Sequence, residues 1–194
     1  TLSDDDLKPS NSKGYYHLHI EGFLILNKNV LLKALNLAKA NNLTVSFDLA
    51  SFEIVNQSRD ELIEILKHHV DMVFANEDEA AAFTQLPPSQ SEKSAQVLNE
   101  LCEMAVVKLG AKGSLIAKDN TIIHSEAIPV KDVIDTTGAG DFWAAGFLHG
   151  WANNQSIQDS AKFGALMGDF VIQNHGGTLS QSQWDALLKS IQTI

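Results

Sequence analysis

Several broad classes are excluded by what this 194-residue chain has little of. It carries one cysteine, Cys102, so no internal disulfide can form, and a reducing, cytoplasmic setting is expected. Cys102 itself is expected on the apolar face of a helix, without a catalytic role. Positive charge is scarce: 14 Lys and Arg stand against 24 Asp and Glu, a net charge of −10 at pH 7. Nucleic acid and anionic membrane surfaces both demand a basic face, and this balance hardly supplies one. No run approaches the roughly 18 apolar residues needed to span a bilayer, and the N-terminus lacks the basic-then-apolar pattern of a signal peptide. A soluble, intracellular protein is expected. Internal repeats and low-complexity linkers are also missing.

What is present is enough apolar content, 44%, to build one sizeable core. Residues 1–13 are polar, with three consecutive aspartates, and read as a flexible or capping segment. After them strand and helix patterns alternate. Strands are expected at 15–20, 43–49, 70–75, 104–109, 114–117 and 121–124. Helices are expected at 28–40, 59–68, 78–83, 91–101, 139–151, 157–173 and 181–191. Apolar strand runs separated by helices imply a mainly parallel sheet covered on both faces, with ligands beyond the C-terminal ends of the strands.

The most informative stretch is Asp135-Thr136-Thr137-Gly138-Ala139-Gly140-Asp141, which runs into the apolar Phe142-Trp143-Ala144-Ala145-Gly146-Phe147-Leu148. A glycine-rich turn opening a helix leaves backbone N–H groups pointing one way, and the helix dipole adds positive charge there. Such a turn attracts an anion, most plausibly phosphate, and Gly138, Ala139 and Gly140 keep side chains out of its way. Asp141 would repel that phosphate unless chemistry needs it. Phosphoryl transfer to an alcohol does need a base beside fixed dipoles that stabilise the moving charge.

These residues resemble the second signature of the PfkB, or ribokinase-like, carbohydrate kinases. The resemblance extends to Asn76-Glu77-Asp78-Glu79, which looks like the family's Asn-x-x-Glu motif. It also takes in Val106-Val107-Lys108-Leu109-Gly110-Ala111-Lys112-Gly113-Ser114-Leu115, which resembles its nucleotide-side strand and turn. Each motif has a plainer reading alone. Asn76 and Glu79 suit a capped, acid-rich first helical turn; Gly110 and Gly113 suit a tight turn between strands; Asp135 suits a turn-capping carboxylate.

The resemblance implies a single ribokinase-like domain over 1–194, a three-layer α/β/α sandwich matching about the C-terminal two-thirds of a typical member. The first strands, the lid and the first signature would lie outside this sequence. It implies an ATP-dependent phosphotransferase acting on a sugar or nucleoside hydroxyl. Asp141 would be the base, and the amides of Gly138, Ala139 and Gly140 the anion hole. Asn76, Glu79, Lys108, Gly110 and Gly113 would lie on the nucleotide side, with Glu79 reaching Mg²⁺ through water. Asp135 and Thr137, with the backbone near Gly176 and Ser180, would hold a monovalent cation, expected to be K⁺. Homo-oligomers or association with the missing N-terminal portion are expected, since an uncovered sheet edge invites pairing. Two alternatives remain open: a noncatalytic binding or assembly module, and a vitamin-alcohol kinase of the same fold. His17 and His19, on one face of a strand, are read as packing, as are Phe142, Trp143, Phe147 and Trp151.

Overall fold

The computed structural model describes residues 3–130 and 132–191. Six strands form one sheet in chain order: β1 (His17–Glu21), β2 (Thr44–Asp48), β3 (Met72–Asn76), β4 (Met104–Lys108), β5 (Ser114–Lys118) and β6 (Thr121–Ser125). β1, β2 and β3 are parallel, with His17 opposite Thr44, His19 opposite Ser46 and Phe47 opposite Val73. β5 and β6 are joined by Asp119-Asn120, both at positive φ, a two-residue connection that only an antiparallel hairpin permits.

The helices are α1 (Lys28–Ala40), α2 (Phe52–His69), α3 (Glu77–Thr84), α4 (Ser91–Asn99), α5 (Ala139–Ala152), α6 (Ile157–Val171) and α7 (Gln181–Ile191). Two short 3₁₀ turns, Asp4–Asp6 and Pro9–Asn11, occupy the polar N-terminal segment, and the Lys33 ammonium donates to the Asp4 carbonyl. None of the described helices is long and apolar enough to cross a membrane. The chain divides into two compact units: residues up to 107 with 117–122, and residues 108–116 with 123 onward.

In the first unit the parallel strands bury Val45, Phe47, Val73 and Phe74 almost completely. α1 presents Val30, Leu31, Leu35 and Ala38 at three-to-four-residue spacing, and α2 presents Ile54, Val55, Leu62, Ile65 and Leu66. Burying each large side chain contributes about 1.5–3 kcal/mol, so these stripes are what keep the two helices folded. α2 begins seven residues before the expected position 59. Ser51 accepts the Ile54 N–H, and buried Ile54 and Val55 carry the helix back past a non-helical Ser58. Periodicity breaks at that kink, which is why the first part of α2 is hidden in the sequence pattern.

The Arg59 guanidinium donates to the Phe83 carbonyl at 2.6 Å and lies 5.8 Å from the Phe83 ring centre, fastening α3 to α2. Cys102 sits in the bend between α4 and β4, not on a helix face. There its thiol donates to the Leu98 and Met104 carbonyls, and burial pushes its pKa to about 12. So high a value leaves no reactive thiolate.

In the second unit α5 and α6 cross at glycines. A Cβ on Gly146 would come within 2.4 Å of the Phe163 carbonyl oxygen, and one on Gly164 within 2.8 Å of the Trp143 indole. Trp143 also stacks on Phe147 at 5.5 Å. α7 contributes Leu187 to a buried cluster with Met167, Val171 and Leu179.

Candidate functional site

The Gly138–Asp141 turn is built in three steps. Gly138 takes a left-handed conformation, φ +78° and ψ 0°, and caps α5; a Cβ there would be 3.1 Å from the Gly177 Cα. An L side chain is therefore disfavoured at 138 by both backbone conformation and space. The Ala139 N–H donates to the Thr136 carbonyl and the Phe142 N–H to the Gly138 carbonyl, which closes the first turn of α5. Asp141 is the third residue of the helix and solvent-exposed. In this first turn the Gly140 and Asp141 amides lie beyond the reach of intrahelical carbonyls, whereas the Ala139 amide is taken by Thr136.

The approach to the turn is held by residues far along the chain. The Asp135 Oδ1 accepts the Thr137 N–H at 2.9 Å and its hydroxyl at 2.7 Å, while Oδ2 accepts the Gly176 N–H at 2.8 Å. The bonds from Thr137, with that from Gly176, hold the Asp135 carboxyl down at about 2. The Ile134 and Asp135 N–H groups both donate to the Ile172 carbonyl, and the Ile128 N–H donates to Asp169 Oδ2 at 3.1 Å. Burial raises the Asp169 carboxyl above the usual range. Phe142 stacks on Trp184 of α7 at 5.6 Å, fixing the inner side of the same turn.

Lys108 and Gly140 meet here too: a Cβ on Gly140 would lie 3.1 Å from the Lys108 Nζ. The turn after β4 folds back through Leu109 N–H to the Gly113 carbonyl, 2.8 Å. Gly113 has φ +90°, and a Cβ there would strike the Ser125 carbonyl oxygen at 2.0 Å, so residue 113 is held to glycine by contact as well as by conformation. Gly110 also has positive φ but open space around it.

In the first unit, Asn76 ends β3 and caps α3. Its Oδ1 accepts the Asp78 and Glu79 N–H groups, both at 2.9 Å. The Glu79 carboxylate accepts the Asn76 N–H at 2.8 Å and its side-chain N–H at 2.7 Å. Glu79 is 4% exposed. This reciprocal cap accounts for both residues structurally and leaves Glu79 oriented by Asn76. Among the described residues no cluster of three His, Cys, Asp or Glu side chains is placed to hold a metal.

Asp135, Thr137 and Gly176 are thus drawn together, as are Asn76 with Glu79 and Lys108 with Gly140. Ser180 caps α7: its N–H donates to Gln183 Oε1 and its hydroxyl accepts the Gln183 N–H. Asp169, Ile172 and Trp184 went unnoticed in the sequence because they act on the turn from α6, its C-terminus and α7. Only Trp184 carried a signal, as an isolated aromatic in a helical pattern. His17 and His19 are tied into a side-chain ladder. His17 bonds Thr44 and Ser46, each at 2.8 Å, and His19 bonds Ser46 at 2.7 Å and Glu21 at 3.2 Å.

Comparison with known proteins gives a consistent picture. The chain is 29% identical over 168 residues to a nucleoside kinase of Methanocaldococcus jannaschii, covering 83% of this chain and 51% of that protein. It is 26% identical over 198 residues to a ribokinase of Arabidopsis thaliana, covering 98% and 49%. The crystal structure of adenosine kinase from Sinorhizobium meliloti superposes with a TM-score of 0.90 at 28% identity, over 97% of this chain and 58% of that one. The chain therefore spans about half the length of the curated relatives it matches. Residues 10–184 match the pfkB family carbohydrate kinases, and the chain belongs to that family.

Proposed function

We propose that the protein transfers the γ-phosphoryl group of ATP to a hydroxyl of a sugar or nucleoside, with Asp141 as base and the amides of residues 138–140 as anion hole. The observation that carries this reading is the left-handed Gly138 cap, which opens α5 with Asp141 on its exposed first turn. The acceptor hydroxyl oxygen bonds to the γ-phosphorus while the bond to the β–γ bridging oxygen breaks. That electron pair leaves with ADP, and the hydroxyl proton passes to the Asp141 carboxylate. Aligned amides stabilise the charge spread over the transferring oxygens.

Mg²⁺ would neutralise the nucleotide phosphates. The buried, bidentately held Glu79 suits contact through a coordinated water better than direct ligation. The all-oxygen pair of Asp135 and Thr137 suits a hard monovalent cation such as K⁺, which would stiffen the turn from behind. Asn76, Gly110 and Gly113 are assigned to the nucleotide side. The nucleoside and sugar kinases among the relatives support both acceptor classes.

The test is ADP release from ATP over a panel of sugars and nucleosides, with and without Mg²⁺ and K⁺, on the full-length polypeptide. Turnover with one acceptor establishes the reading. Silence across the panel with ATP still bound would favour a noncatalytic module instead.

A further inference from the structure

We propose that the Lys108 ammonium is the chain's own cationic ligand for the phosphoryl group in flight, a catalytic residue and not merely part of the strand end beside the nucleotide. The inference rests on the kinase reading above.

The geometry begins at Gly140. Gly138 and Gly113 have positive φ, but Gly140 does not, so its backbone makes no demand for glycine. Its surroundings do. A Cβ at 140 would come 3.1 Å from the Lys108 Nζ, the neighbour that a side chain would meet within 4 Å among the described residues. The bare Cα of Gly140 therefore leaves room for a cation over the second residue of α5. That is the middle of the turn whose amides form the anion hole.

A cation at the positive end of a helix is disfavoured by the dipole. An anion seated between the ammonium and the first-turn amides turns that repulsion into a convergent field. Lys108 directly follows the buried Met104, Ala105, Val106 and Val107 of β4. Its partial burial strengthens the charge it presents.

A phosphoryl group in transfer carries charge on three equatorial oxygens, more than two or three amides can meet. One flexible ammonium, a compact point charge with three donors, can follow those oxygens from ATP to product. A cation in this role lowers the barrier most at the transition state, and in other phosphotransferases a single one contributes about 10³–10⁵ in turnover.

The experiment compares wild-type full-length protein with Lys108→Met, Lys108→Arg and Gly140→Ala. It measures kcat, KM for ATP, and calorimetric binding of ADP alone and of ADP with aluminium fluoride, a mimic of the phosphoryl group. Thermal melts check folding. Lys108→Met is expected to lower kcat by about 10²-fold or more and to weaken ADP–aluminium fluoride by a similar factor, with ADP affinity changed less than about threefold. Lys108→Arg should recover part of the loss, and Gly140→Ala, which displaces the ammonium, should follow Lys108→Met. Equal weakening of ADP and ADP–aluminium fluoride would make Lys108 a nucleotide ligand and overturn the proposal, as would an unchanged kcat in folded Lys108→Met. A wild-type protein that neither turns over nor binds either ligand would remove the kinase reading and this inference with it. An active wild type beside an equally active Lys108→Met would remove Lys108 alone.

Discussion

The Asp135 carboxylate joins the turn at the start of α5 to a glycine 41 residues later, with one oxygen on Thr137 and the other on the Gly176 N–H. Its pKa of about 2 lies below the ordinary aspartate value of 3.8. The bonds therefore stabilise the fold fully above about pH 4, and that contribution is lost as pH falls toward 2. Asp135→Asn turns an N–H toward a donor, and its melting temperature should lie below wild type at pH 7 and converge with it near pH 2. Identical melts at pH 7 would show that the clasp contributes nothing.

His17 titrates in the opposite direction from its usual role as a gained cation. Burial, with repulsion from His19, lowers its pKa from 6.5 to about 4, while Asp71 acts weakly the other way. Between those values the unfolded chain binds a proton that the folded one refuses, so stability falls as pH drops from about 6.5 to 4. Allowing for solvent screening, the loss is about 1–2 kcal/mol. Urea unfolding of His17→Gln across this window should show a flatter profile; a slope equal to wild type would assign the pH dependence elsewhere.

Asp141→Asn removes the proposed base while keeping size and much of the hydrogen bonding. Turnover should fall by roughly 10²-fold or more with ATP affinity nearly intact. Steady-state kinetics with the best acceptor decides it, and unchanged kcat would take Asp141 out of the chemistry.

The Asn76–Glu79 cap separates a structural from a magnesium role. Asn76→Ala should cost about 1–2 kcal/mol by denaturant unfolding. Glu79→Gln should raise the Mg²⁺ concentration needed for half-maximal rate if Glu79 orients coordinated water. Lost stability with an unchanged Mg²⁺ requirement would confine Glu79 to capping.

The α5–α6 crossing predicts a contrast among glycines. Gly146→Ala pushes a methyl into the Phe163 backbone and should destabilise by about 1–3 kcal/mol or more. Gly110→Ala meets no atom within 4 Å and should cost only the left-handed backbone conformation, about 1 kcal/mol. Chemical denaturation of the two variants tests the ranking.

Local chemistry in the sequence determined the alternation of strands and helices, the Gly138–Asp141 turn at the start of α5 and the Asn76–Glu79 motif. Glycine spacing, capping residues and hydrophobic periodicity act over a few residues and are legible without partners. The tertiary structure decided the rest. It set the early start of α2 across the Ser58 kink, the register that places Ser46 between two histidines, and the glycine-lined α5–α6 crossing. It brought Gly176 to Asp135 and the Lys108 ammonium to Gly140. Each of these depends on where two distant segments come to rest. That is set by side-chain packing and strand pairing across the chain, which no pattern within a single segment encodes.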